Sequence, residues 1–247
     1  MLKCCVVIPV FDHEHAITAV VAAVVAHGVP CILVDDGSAS GCAAMLDSLA
    51  AANPAQVKLL RLPSNQGKGV AVLAGFKLAA QQGYTHALQI DADGQHCGAD
   101  IPKFLALAAA HPAAVIAGCP VFDASVPKLR LYARYLTHIF VWINTLSFDI
   151  NDSMCGFRLY PLAAVMQLAK HQHIGNRMNF DTDILVRLYW QGLQVINLPT
   201  PVNYPSDGVS HFRLWMDNVL ITRMHAILFF GMLIRIPALL VRKLRRR

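Results

Sequence analysis

At 247 residues the chain is long enough for one large α/β domain or two small ones; 55% of it is hydrophobic, only 15% is charged, and the formal charge is +6. The usual charged fraction is about 25%, so the chain is apolar for a soluble enzyme and points to a membrane surface or a partner. Its positive charge crowds into Arg242, Lys243, Arg245, Arg246 and Arg247, and no basic, aromatic surface is evident elsewhere, which argues against a nucleic-acid partner.

Lys3 is followed by a short apolar run, Cys4–Val10, and then by Asp12 and His13. That run is too short and too soon charged for a signal peptide; it reads as the first strand of a cytoplasmic protein. Further strand-length runs fall at Cys31–Val34, Val57–Arg61, Ala87–Ile90 and Ala114–Ala117. Between them lie Ala-rich helical patterns at Ala16–His27, Cys42–Ala52, Gly69–Gln82 and Ile101–Ala110. Strand and helix alternating at this spacing predict βαβ units and a mostly parallel sheet flanked by helices. In such sheets ligands sit beyond the carboxyl ends of the strands.

After Pro120 the rhythm changes. Lys128–Phe148 reads as a long helix with Arg130 and Arg134 one turn apart on a shared face. Gly156–Tyr160 reads as a short strand, and Pro161 suits the first turn of the next helix. Asp181–Gln191 reads as a further helix, ended by Gly192. Leu193–Leu198 and Val202–Tyr204 read as strands around Pro199 and Pro201. The seven cysteines form no Cys-x-x-Cys pair, which argues against zinc; they fit core thiols in a reducing compartment.

From Trp215 onward the pattern is helical and very apolar. Its longest uncharged stretch, Ala226–Ile234, falls short of the ~20 residues of a transmembrane helix. Arg223 and Arg235 are spaced to snorkel from a helix lying in the interface, and Pro237 is expected to kink it. The basic end adds attraction to anionic lipid. The expectation is peripheral attachment to the cytoplasmic face of a membrane, with a packed C-terminal helix as the alternative.

The chemistry-bearing residues fall at the ends of the apolar runs. Asp91 and Asp93, in Leu-Gln-Ile-Asp-Ala-Asp-Gly-Gln-His, place two carboxylates near one loop, a donor set for Mg²⁺ or Mn²⁺ holding substrate phosphates. Asp35 and Asp36 follow an earlier run and can accept hydrogen bonds from a base or a ribose; one of them can instead cap a turn. Asn65-Gln66-Gly67-Lys68-Gly69 lets backbone approach a ligand, with Lys68 as a point charge for phosphate, although it is not a Walker loop.

Taken together, Ile8-Pro9-Val10-Phe11, Val34 to Ser38, Asn65 to Gly75, Asp91 to His96, Asp152 to Arg158 and Phe180 to Gly192 resemble the family 2 glycosyltransferases, in particular the dolichyl-phosphate-mannose synthase-like branch. The resemblance implies a GT-A-type nucleotide-diphospho-sugar transferase fold. A catalytic domain would span residues 1–215, its nucleotide-sugar half 1–98 and its acceptor half 99–215, with an amphipathic tail over 216–247. It implies nucleotide contacts from Pro9, Phe11, Asp35, Asp36, Asn65, Lys68 and Asp91. Asp91 and Asp93 would hold the metal, with Gln95 reaching it; His96 is either a further ligand or structural. Asp181 matches the family's base, although Phe180 replaces the usual Glu, and the polyprenyl-phosphate members keep one acidic residue where Asp183 stands. Arg130 and Arg134 would bind an acceptor phosphate, Asp152 and Arg158 would pair and frame the acceptor site, and His211 would touch phosphate or cover the site. The implied reaction moves one sugar from a nucleotide sugar to a lipid or polyprenyl phosphate, metal-dependent and inverting. A nucleotidyltransferase and a non-catalytic membrane scaffold are the rival readings.

Overall fold

The first apolar run forms strand β1 (Cys4–Val10), and its period of two sends Cys5 and Val7 into one core and Val6, Ile8 and Val10 into another. The computed structural model describes residues 2–122, 128–202 and 211–245, with the side chains of residues 128–130 and 245 outside that description. After β1 come α1 (Glu14–Ala26), β2 (Cys31–Asp35), α2 (Ser40–Ala52), β3 (Val57–Arg61), α3 (Lys68–Gln81), β4 (His86–Gln89), α4 (Ile101–Ala110) and β5 (Val115–Val121). Then follow α5 (Lys128–Thr145), β6 (Arg158–Pro161), α6 (Leu162–His171), α7 (Phe180–Trp190), β7 (Val195–Pro201) and α8 (Leu214–Arg245).

The strands make one sheet in the order β3-β2-β1-β4-β6-β5-β7. All neighbours are parallel except β6, which runs antiparallel to both β4 and β5. One face is covered by α1, α2 and α4, the other by α3 and α5 to α8. Burial on both faces explains why β1 and most of β2 read as unbroken apolar runs rather than alternating ones.

The two strands expected around Pro199 and Pro201 are one. Strand β7 passes through both prolines, and Tyr204 lies outside the described residues. The carbonyl of Gln194 accepts from Val115 of β5, so the even-numbered residues of β7 face β5. Pro199 and Pro201 turn their missing N–H groups to the open edge, where no ladder bond is lost.

Helix α8 packs one stripe, Met224, Leu228, Met232 and Leu239, against α5 and α7. Arg235 does not snorkel: its guanidinium lies 4.6 Å over the Trp190 ring and donates to the Gly231 carbonyl. Arg242 is likewise turned inward, 4.2 Å over Tyr189, donating to the carbonyls of Tyr189 and Leu193. The Tyr189 carbonyl lies in the last turn of α7, at the negative end of that helix, which favours the inward turn of Arg242.

Candidate active site

Strands β1 to β4 are mutually parallel and end at one edge of the sheet; antiparallel β6 begins there. Chain order reverses between β1 and β4, which opens a crevice at that edge. Asp35 and Asp36 close β2, Asp91 and Asp93 follow β4, and residues 152–156 precede β6. The N-terminus of α7 delivers Asp181.

Asp35 and Asp36 are both buried, and their carboxylates bind the loops that frame the crevice. Asp35 accepts from Ser38 N (2.8 Å) and Arg61 Nε (2.7 Å). Burial raises its pKa, but the Ser38 N–H and the Arg61 guanidinium outweigh that and hold it below the usual carboxylate range. Asp36 accepts from Gln66 N (2.7 Å) and Gly67 N (2.8 Å), and burial leaves it above that range. Asp36 thereby fixes the Asn65–Gly69 loop to the end of β2. Gly67 is required there: its φ is +101°, and a Cβ would lie 2.6 Å from the Asn176 carbonyl oxygen. Pro9 is buried in β1. Phe11 and His13 meet the His211 ring edge-on at 5.0 and 4.9 Å, and Asn65 accepts from Arg177 Nη1 (3.4 Å).

The centre of the site is an ammonium between two carboxylates. Lys68 Nζ lies 2.8 Å from Asp91 Oδ2 and 2.7 Å from Asp181 Oδ2, and Gln89 Nε2 donates to Asp181 Oδ1 at 2.9 Å. Burial alone would lower the Lys68 pKa; Asp181 and Asp91 more than offset it and raise it. Asp91 feels the reciprocal effect: burial pushes it up, Lys68 and His96 pull it well down. His96 Nε2 is 3.8 Å from Asp91, and its ring packs on Phe157. Gly156 presses its backbone against the Asp91 carboxylate.

For a divalent cation the candidate donors are Asp91 and Asp93; among the described residues no three His, Cys, Asp or Glu side chains converge. Asp91 Oδ1 is buried without an aligned hydrogen-bond donor. Asp93 is pushed above the usual carboxylate range by burial and by the charge of Asp91. Two crowded carboxylates, one of them with an oxygen held only by the Lys68 ammonium at 2.8 Å, fit Mg²⁺ or Mn²⁺, which take one or two carboxylates and fill the remaining positions from phosphates and water. Gln95 gives its backbone N–H to Asp93 Oδ1 (3.1 Å).

Asp181 and Asp183 share one turn of α7 but not one environment. Asp181 faces Lys68, whereas Asp183 is bound to Arg187 and to Gly175 N (2.9 Å), and Arg187 also holds Gln172. Asp183 thus pins the turn before α7. Asp183→Asn should destabilise the fold by about 3–5 kcal/mol, because Arg187 is left as an uncompensated buried charge. Denaturant unfolding measures this, and a loss under about 1 kcal/mol would contradict the assignment.

The expected Asp152–Arg158 pair does not form. Asp152 is paired in forked fashion with Arg134 (Nη2 to Oδ1, 2.7 Å), receives Met154 N and Cys155 N, and has His138 Nε2 at 3.4 Å. Arg158 lies fully buried beneath α7, donating to the Asp181 carbonyl (2.7 Å), the Tyr160 hydroxyl (3.1 Å) and the Cys155 carbonyl (3.0 Å). The tight turn of residues 152–155 closes on the Asp152 carboxylate and aims it at α5, while β6 carries Arg158 under the site. The Arg130 side chain lies outside the described residues. Gln89, His13, His138 and Tyr160 were not anticipated. Only Gln89 carries a signal in the sequence, as the single polar residue inside Ala87–Ile90.

The family model for glycosyl transferase family 2 matches residues 5–167. Over 219 residues the chain is 28% identical to a polyprenol monophosphomannose synthase of Mycolicibacterium smegmatis, covering 83% of this chain and 79% of that protein. Among solved structures it resembles glucosyl-3-phosphoglycerate synthase from Mycobacterium tuberculosis in complex with uridine diphosphate. That match has a TM-score of 0.63 and 15% identity, covering 94% of this chain and 80% of the other. The mannosyltransferase PcManGT from Pyrobaculum calidifontis, in complex with GDP-Man and Mn²⁺, aligns with a TM-score of 0.62 and 12% identity, covering 94% and 64%. At these identities the structural likeness is one of fold, and the fold is the GT-A type expected from the sequence.

Proposed function

The chain belongs to glycosyl transferase family 2 and is a glycosyltransferase; from that premise we propose that it moves one sugar from a nucleoside diphosphate to a polyprenyl-type lipid phosphate. The observation that carries this reading is the meeting of Asp91, at the end of β4, and Asp181, at the start of α7, on the single Lys68 ammonium. The donor-side and acceptor-side halves of the chain face each other across a few ångströms.

Asp91 and Asp93 would hold Mg²⁺ or Mn²⁺ with the donor phosphates, with Gln95 at hand; bound there, the cation supplies Lewis-acid stabilisation of the leaving diphosphate. Asp36 and Gly67 shape the loop against which the nucleotide lies, with Pro9, Phe11, Asn65 and the buried Asp35 framing it. Asp181 orients the acceptor for in-line attack, which inverts the anomeric carbon. Both Asp181 oxygens are already hydrogen-bonded, one to Lys68 and one to Gln89. A lipid phosphate suits such a carboxylate, since a phosphate monoester titrates near pH 6 and arrives largely ionised. Arg134 and His211 lie on the acceptor side.

The relative from Mycolicibacterium smegmatis is named for a polyprenol monophosphate product, and α8 and α5 leave large apolar side chains in solvent. Leu214–Leu244 is long and apolar enough to cross a membrane by length and composition, its most apolar 18-residue window having a mean hydropathy of 2.0. One stripe of α8 packs on the protein while Arg223 is exposed, which favours a helix lying in the interface over a span. The reading places the enzyme on the cytoplasmic face of an anionic membrane. Replacing Phe230 and Ile234, which are 65% and 81% exposed, by Glu should abolish flotation with anionic vesicles and leave donor binding intact. Unchanged flotation would refute the interfacial reading.

A thermal-shift panel of UDP-, GDP- and dTDP-sugars, with Mg²⁺, Mn²⁺ or chelator, tests the function. One donor class should stabilise the protein by about 2.7 kcal/mol at a hundredfold excess over Kd, only with metal, and should then label polyprenyl phosphate. A panel with no stabilising donor, or one indifferent to chelator, overturns the reading.

A further inference from the structure

Lys68 occupies an unusual place for a residue expected to meet phosphate. It is the first residue of α3, set by a left-handed Gly67 whose N–H is tied to Asp36. Its ammonium is already engaged by two carboxylates from opposite halves of the chain, and its side chain is only 16% exposed. His96 Nε2 stands 3.8 Å from Asp91 Oδ2, beyond hydrogen-bond reach, and Arg158 supports Asp181 through the backbone carbonyl rather than the carboxylate. Lys68 is thus the ammonium within hydrogen-bonding distance of both.

We infer that Lys68 is a built-in counter-cation that holds Asp91 and Asp181 together until a divalent ion arrives with the donor, and so keeps the bare protein from taking up that ion alone. This rests on the assignment of Asp91 and Asp93 to the cation. A free divalent ion must displace Lys68 from Asp91 and then sit beside its positive charge. An ion already chelated by a diphosphate brings the anionic oxygens that receive the released ammonium. Uptake of ion and donor is therefore coupled, and the release of Asp91 leaves Lys68 on Asp181, at the acceptor side. Lys68 is a positioning residue: it sets which cation Asp91 holds and where Asp181 points.

The test is Mn²⁺ binding to the full chain without nucleotide, followed by electron paramagnetic resonance and by melting temperature. Wild type and Lys68→Arg should bind Mn²⁺ weakly and melt at nearly the same temperature with and without it. Lys68→Met should bind Mn²⁺ at least tenfold more tightly, melt lower than wild type in chelator, and regain the difference with Mn²⁺. Lys68→Gln, which keeps a hydrogen-bond donor, should show the same tightening if the Met variant folds poorly. Equal or weaker Mn²⁺ binding in both neutral variants overturns the inference, as does tightening in Lys68→Arg. If those variants fail the test while the wild type still responds to a nucleotide sugar with Mn²⁺, only this inference falls. If the wild type responds to no donor, the functional reading falls on its own evidence.

Discussion

Asn in place of Asp181 should leave donor binding intact and cut sugar transfer by about 10²–10⁴-fold. The side chain is nearly buried, and both oxygens are held, one by Gln89 and one by Lys68. The amide keeps the shape, with its oxygen on Lys68 and its NH2 toward the unpartnered Gln89 Oε1, but it removes the negative charge that holds the ammonium and aims the acceptor. Asp91 and Asp93 are unchanged and Lys68 keeps its bond to Asp91, so a donor-induced thermal shift should persist while single-turnover transfer collapses. Near-normal transfer would remove Asp181 from the acceptor side.

The second large effect is expected from a methyl group. A Cβ at Gly156 would lie 2.2 and 2.4 Å from the two Asp91 carboxylate oxygens, closer than real contacts allow. The backbone there is anchored by Cys155 N on Asp152 and by the start of β6, so Asp91 is the group that must move. Gly156→Ala should lower kcat/KM by about 10²-fold, the usual cost of an ångström-scale misplacement, and blunt the metal-dependent donor shift. Gly41→Ala is the control, because a Cβ there meets nothing within 4 Å. Wild-type activity in Gly156→Ala would mean that Asp91 can move without consequence.

Much of this arrangement was legible before any coordinates. The apolar runs at Cys4, Cys31, Val57 and Ala87 each became a strand within a residue or so of the expected limits; for β1, β2 and β4 burial on both sheet faces leaves little choice of residue type, whereas β3 is a half-exposed edge strand. Their acidic ends then fell at one edge, since parallel strands end together. The choice between Asp181 and Asp183 was not legible: two residues apart on a helix, they differ only in what lies opposite, Lys68 from far up the chain or Arg187 one turn on. The partner of Asp152 was hidden for the same reason, since proximity in sequence favoured Arg158 and the fold supplied Arg134. The inward turn of Arg235 and Arg242 depended on Trp190 and Tyr189, which no local spacing announces. The prolines of β7 read as breaks because a sequence does not say which strand lies at an edge.

The antiparallel strand β6 also orders the chain's own assembly. β4 and β5 are successive strands, yet they never pair; β6 comes later in the chain and fills the gap between them. The β3-β2-β1-β4 half can close once residues 4–89 are made, while β5 and β7 can join it only after β6 has been delivered. Until then the inner edge of β4 stands bare, with unpaired backbone groups that invite another chain. On a ribosome the β3-β2-β1-β4 half therefore precedes the rest of the sheet, and residues 158–161 cover the exposed edge of β4 and join the two parts.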